Sequence, residues 1–253
     1  MKTISARQIL IALAILATIT VNILANALPI NGQNTGAVSD QFDVLFVPAG
    51  YVFSIWGIIY LFLIGFSVYQ LLPAQRENVR LVRITPWVLL ASAANIAWIF
   101  LWHYNLFNLT VPVMLILLGS LIAIYLSLNI GKNKVSQQER WLVNATFSIY
   151  LGWITIATVA NISQWLYFIN WNGFGISASV WTVIMLAVAT LISAGMAFLR
   201  RDWLYLLVPI WAVIGIALKQ AANPLVSTGA WVSVGVLALL FLYALLKQKP
   251  IRA

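Results

Sequence analysis

Indoles and carboxamides recur along this chain at helical spacings. Asn95, Trp98 and Trp102 stand at i, i+3 and i+7, and Trp153, Ala157 and Asn161 at i, i+4 and i+8, so each set forms one helical stripe. Trp56 and Tyr60 are four apart and share a face, as do Asn22 and Asn26. Side chains of these types stack on flat apolar molecules and hydrogen-bond a few polar atoms at their rims. A lipid-facing carboxamide would lack partners, so the asparagines are expected to point inward and the stripes to converge on one interior space. A plainer reading stays open, in which Asn is interhelical glue and Trp forms interfacial belts. Trp87, Trp141, Trp165, Trp171, Trp203 and Trp231 lie near helix ends and fit a belt, whereas Trp98, Trp153 and Trp56 lie deeper.

Ionisable groups offer little to a catalyst. His103 is the only histidine, and it has no second histidine and no carboxylate close in sequence with which to share a metal or a proton. It remains a speculative ligand contact. The five acids, Asp40, Asp43, Glu77, Glu139 and Asp202, all fall in expected loops, and cysteine is absent. That excludes disulfides, thiolate metal sites and a cysteine nucleophile. No GxSxG, HExxH or phosphate-cradling glycine loop occurs. The chain therefore reads as a non-enzyme with no metal site and no required cofactor. Lys219 is the one cation out of place; it is either a functional group at the membrane or a side chain snorkelling to the interface.

The elements that must position these residues are membrane helices. Of 253 residues, 63% are hydrophobic and 8% charged, with a mean hydropathy of +0.97, against about 25% charged in a soluble domain. Apolar runs of roughly 20 residues, the length a helix needs to cross the hydrocarbon, recur through the chain. The expected spans are about Gln8–Leu28, Gly50–Leu72, Ile84–His103 with Pro86 in its first turn, Leu109–Ile130, Trp141–Ser163, Ser177–Leu199, Trp203–Ala221 and Val226–Leu246. The first span also fits a signal peptide ending Ala25-Asn26-Ala27. Its apolar run from Ile9 to Leu24 is long for that role, and a retained helix is expected. Pro48 and Gly50 punctuate a loop that enters the second span through Tyr51.

Numbered this way, every cation but Lys219 falls on one side, from Lys2 and Arg7 through Arg76, Arg80, Arg83, Lys132, Lys134, Arg140, Arg200 and Arg201 to Lys247, Lys249 and Arg252. The other side has Asp40 and Asp43. Eight spans with both termini on the cytoplasmic side satisfy the positive-inside rule, and the net charge of +9 is explained by membrane topology without nucleic acid. A weaker regularity pairs Trp87 with Asn95, Trp153 with Asn161 and Trp211 with Lys219, each eight apart; it reads equally as an old repeat or as chance among twelve tryptophans.

Three segments carry a resemblance. FVPAGYVFSIWGIIY (46–60), ANIAWIFLWHYN (94–105) and YLGWITIATVAN (150–161), in that order and spacing, resemble the motifs of the tryptophan-rich sensory protein family, also called the translocator protein or peripheral benzodiazepine receptor family. The resemblance covers about residues 8–165. It implies a five-helix bundle around a pocket closed by the first loop, Pro29–Ala49. It also implies binding of tetrapyrroles such as protoporphyrin or haem, in some members sterols and synthetic aromatic ligands, with sensory, transport or porphyrin-breakdown roles. By motif, Trp56, Asn95, Trp98, Trp153, Ala157 and Asn161 are the pocket positions. Ala49 and Ile55 stand where that family's pattern has further prolines, and the last three spans have no counterpart in its short members.

The resulting expectation is an all-α, polytopic membrane bundle of eight transmembrane helices: residues 1–165 as the ligand-binding bundle and 166–253 as a three-helix extension. Its function is sensory or regulatory binding of a planar hydrophobic ligand, most simply a tetrapyrrole. The competing expectation is a transporter or permease subunit working through Lys219. Ligand-binding residues are Trp56, Tyr60, Asn95, Trp98, Trp102, Trp153, Ala157 and Asn161, with Pro48 and Tyr51 at the entry and Lys219 and His103 as speculative additions. Expected partners are membrane lipid and the small hydrophobic ligand, not nucleic acid, and the sequence allows a homodimer.

Overall fold

Side-chain caps set the helix starts that hydropathy leaves loose. Ser5 accepts from the backbone N–H of Gln8, and Gln8 reaches back to the Ser5 N–H, so a capping box opens the first helix. The computed structural model describes residues 4–28 and 30–247. Lys2, Pro29, Lys249 and Arg252 lie outside the described residues. The helices are α1 Ala6–Ala27, α2 Gly50–Leu71, α3 Val79–His103, α4 Phe107–Ser127, α5 Gln137–Phe168, α6 Ala178–Arg200, α7 Trp203–Lys219 and α8 Pro224–Leu246. No strand occurs among the described residues. Seven of these helices are long and apolar enough to cross a membrane; α7, with 17 residues, is a shorter apolar helix.

Two boundaries differ from expectation for identifiable reasons. Asn78 caps α3, so it begins at Val79 rather than Ile84, and Arg80 and Arg83 sit within the helix. Pro86 is therefore an interior proline and not a first-turn one, at the loss of one helical hydrogen bond. Ser136 likewise starts α5 a turn early, through a π-helical turn at Arg140–Asn144, and the helix runs on to Phe168. Trp165 and Tyr167, expected in a loop, are thus helical, and Trp165 donates its indole N–H to Asn108 Oδ1 at 3.0 Å.

The α5 helix is the centre of the molecule. Its apolar stretch is 83% buried inside the molecule, against 28–39% for those of the other six long helices. One side packs on α2 and α4, and the other on α7, which pairs in turn with α6 and α8. Gly152 allows the α5–α7 approach: a Cβ there would sit 3.0 Å from the Tyr205 carbonyl oxygen and 3.1 Å from Val208 Cβ. Arg7, Arg80 and Arg200 stand at one end of the bundle, the end opposite Lys219. There Arg7 donates to the Gln75 and Arg76 carbonyls, Arg80 to that of Leu128, and Arg200 to that of Ile130. Arg80 Nε lies 3.3 Å from Glu139 Oε1, an ion pair without hydrogen-bond alignment.

Candidate functional site

At the opposite end, a cavity of about 870 Å³ opens between α1, α2, α3, α4 and α5, beneath residues 34–40 of the first loop. Trp56 and Tyr60 of α2, Asn95 and Trp98 of α3, and Trp153 and Ala157 of α5 all line it, with Asn22 and Asn26 of α1. Indoles and carboxamides from four helices therefore do face one interior space. A plain lipid-belt role does not describe Trp56, Trp98 or Trp153.

Polar partners hold the amides in place. Asn22 donates to Asn95 Oδ1 at 2.6 Å, and Asn95 donates to the Tyr150 hydroxyl at 2.9 Å, with both asparagines buried. This chain of bonds fixes α1, α3 and α5 to one another. The aromatic wall is built by contact between rings: Trp56 stacks on Tyr60 at 5.6 Å and meets Trp153 edge-on at 6.2 Å, while Phe53 meets Trp153 at 5.8 Å. The lining thus offers a flat apolar ligand both aromatic rings and amides.

Trp102 and Asn161 stand one layer behind that wall. Trp98 stacks on Trp102 at 5.0 Å with 17° between planes, and donates its indole N–H to Asn161 Oδ1 at 3.2 Å. Asn161 in turn donates to Thr110 Oγ1 at 3.0 Å. Both residues border a side space of about 50 Å³, together with Trp98, Trp153 and Ala157. Their position supports the indole of Trp98, which itself faces the larger cavity.

The first loop closes over the cavity and is fastened at several points. A short helix, Thr35–Ser39, capped by Asn34, lies over Trp102, whose indole N–H donates to the Thr35 carbonyl at 3.2 Å. His103 is fully buried and away from the cavity. Its Nδ1 donates to the Ile30 carbonyl at 3.2 Å, and Nε2 lies 3.0 Å from Thr35 Oγ1. A carbonyl can only accept, so Nδ1 carries a proton, and a neutral ring then accepts from the threonine hydroxyl. The histidine thus holds the loop rather than lining the cavity. Gln164 reaches Ser39 from α5.

Lys219 is paired rather than free. Its Nζ lies 3.1 Å from Asp40 Oδ1, joining the end of α7 to the loop rim. Pro48 and Tyr51 belong to a segment seated on α7. The Ala49 N–H donates to the Gly215 carbonyl at 3.2 Å, Trp211 donates to that of Val52 at 3.1 Å, and Tyr51 packs edge-on against Trp211 at 5.2 Å. Pro48 borders the side space and Tyr51 is an outer contact.

One polar cluster escaped sequence reasoning. Asp202, only 6% exposed, accepts from Ser148 at 2.6 Å and Tyr125 at 2.8 Å through Oδ2, and caps α7 by accepting from the Tyr205 N–H at 3.2 Å. Burial raises its carboxyl above the ordinary range, and the bonds from Ser148, Tyr125 and the α7 backbone offset part of that rise. Its place immediately before an apolar helix marks it as an N-cap from sequence alone; its burial does not show there.

The fold and cavity define a polytopic helical membrane protein with an interior ligand-sized space. A family model described as TSPO-like protein matches residues 8–243, and the chain belongs to that family. The match runs beyond residue 165 to include α6, α7 and most of α8. Neither the curated proteins nor the solved structures compared with the chain gave a match.

Proposed function

We propose that the cavity beneath the first loop receives a planar, mainly apolar ligand, and that the protein acts as a tryptophan-rich membrane sensor or regulator. The observation that supports this most is the meeting of Trp56, Trp98 and Trp153, from three helices, with Asn95 around one cavity of about 870 Å³. A tetrapyrrole ring matches that lining: its faces suit the indoles, and Asn22, Asn26 and Asn95 suit polar atoms at its edge. Among side chains lining the cavity, Tyr60 and Met114 are of types that can ligate haem iron, while cysteine is absent from the chain and the one histidine is spent on the loop, so the metal-free ring and haem both stay within this reading. No cofactor and no catalytic step are needed in this reading. Asp40 is the formal charge at the rim, and its pairing with Lys219 favours the receptor reading over a permease built on that lysine. The placement of Arg7, Arg80 and Arg200 at the far end supports cytoplasmic termini and a cavity opening toward the other side.

The test is titration of the purified protein with protoporphyrin, followed by tryptophan quenching and by the porphyrin absorption band. Saturable quenching is expected in the wild type, weakened in Trp153→Phe. Absence of saturation, or a curve unmoved by the substitution, overturns the proposal.

A further inference from the structure

A second cavity, of about 580 Å³, lies between the end of α5, the 169–177 link, α6 and residues 43–46 of the first loop. Its aromatic walls are Tyr167, Trp171 and Trp181, its apolar walls include Phe46 and Met185, and its one formal charge is Asp43. The indole pair is held by backbone. Trp181 donates its N–H to the Gly173 carbonyl at 2.8 Å, and Trp171 packs against it at 5.2 Å with 54° between planes. Gly173 adopts φ +63°, and a Cβ there would come within 3.2 Å of Trp181 Nε1, so this seat for the indole depends on glycine. With its N–H committed, Trp181 has its ring faces to offer. Among the described residues, the Asp43 carboxylate has no hydrogen-bond or ion-pair partner, and no cation lines the cavity.

Aromatic faces carry negative quadrupolar potential, and a carboxylate beside them adds a full negative charge; both attract a cation whose body is apolar enough to leave water. An anion is repelled by the same set. From this we infer that the cavity is a binding site for a hydrophobic organic cation, separate from the proposed tetrapyrrole site and independent of it. The two cavities have no lining residue in common: of the first loop, residues 34–40 border the first and 43–46 the second.

The probes are tetraphenylphosphonium and tetraphenylborate, equal in size and opposite in charge. Binding is measured by equilibrium dialysis against the full chain in dodecyl maltoside, with empty micelles subtracted. One saturable site per chain is expected for the phosphonium and none for the borate. Asp43→Asn, at an exposed and unpartnered residue, should keep the helical circular dichroism and unfolding midpoint yet weaken phosphonium binding about tenfold. Trp171→Leu should weaken it by a similar factor, and Trp153→Phe in the first cavity should leave it unchanged. Equal binding of both ions overturns the inference, as does absence of a saturable site. So does phosphonium affinity that ignores Asp43→Asn or falls as far with Trp153→Phe.

Discussion

Trp211 donates its indole N–H to the Val52 carbonyl across 3.1 Å, joining residues 159 apart in sequence. With this bond, the first turn of α2 is seated on α7, a helix that the shorter motif-bearing region does not include. The wall of the cavity that carries Phe53 and Trp56 therefore depends on the C-terminal helices for its position. Gly215, one turn further along α7, makes the seat: a Cβ there would collide with Val52 Cγ2 and lie 3.2 Å from Pro48 Cβ.

Substituting Gly215→Val should accordingly lift the 48–52 segment off α7. Both neighbours are stiff, a β-branched valine and a proline, so they cannot rotate away cheaply. A loss of about 1–3 kcal/mol is expected, together with faster proteolysis in the first loop. Gly119, where a Cβ meets nothing within 4 Å, is the control: Gly119→Ala should be neutral or slightly stabilising.

The amide chain Asn22–Asn95–Tyr150 gives a second expectation. Asn95→Leu removes an acceptor for Asn22 and a donor to Tyr150 in one step. Buried polar groups left without partners cost about 1–3 kcal/mol each, at the lower end in membranes, where the unfolded state finds other partners. Unfolding in mixed micelles should show a loss near 1–2 kcal/mol. Adding Asn22→Leu to that background should cost less than it does alone, a double-mutant coupling of about 0.6 kcal/mol. Strict additivity would mean that the two amides act separately.

Lys219→Gln should change little. The pair with Asp40 is exposed, with side-chain accessibilities of 32% and 66%, and solvent screens it. A stability change under about 0.5 kcal/mol is expected, vanishing as salt is raised. Porphyrin affinity should stay within a factor of about three. Loss of all ligand-linked behaviour on this substitution would instead favour the lysine-centred transport reading.

The span order and the convergence of the stripes were legible because both rest on local regularities: apolar length, charge placement and helical spacing. Asn95, Trp98, Trp153 and Trp56 each announced a face, and membrane physics turned those faces inward. What stayed hidden depended on partners distant in sequence. Trp102 and Asn161 share the stripes of their neighbours, but they stand behind the wall, bonded to Thr35 and Trp98. His103 has no sequence-near partner, because those it has, Ile30 and Thr35, lie on the loop. Asp202 looked like any loop acid, since nothing local shows that Ser148 and Tyr125 come to meet it.

That acid supplies the last expectation. Asp202 lies in the link between α6 and α7, and burial raises its folded-state carboxyl above its unfolded value. A group raised on folding contributes stability that is fully present below its unfolded value, about 4 for aspartate, and is lost as pH climbs through the folded one. Wild-type stability should therefore decline as pH rises from about 4, by an amount absent from Asp202→Asn. Asparagine still caps a helix well, so the variant should fold with α7 in place. The neutral acid present at pH 4 still has two oxygens able to accept, against one in asparagine, for Ser148, Tyr125 and the Tyr205 N–H, so the variant should be less stable than the wild type there. Thermal unfolding between pH 4 and pH 8 checks both statements: the wild-type advantage should shrink with rising pH, and a constant or growing advantage would show that the carboxylate is better solvated than its burial implies.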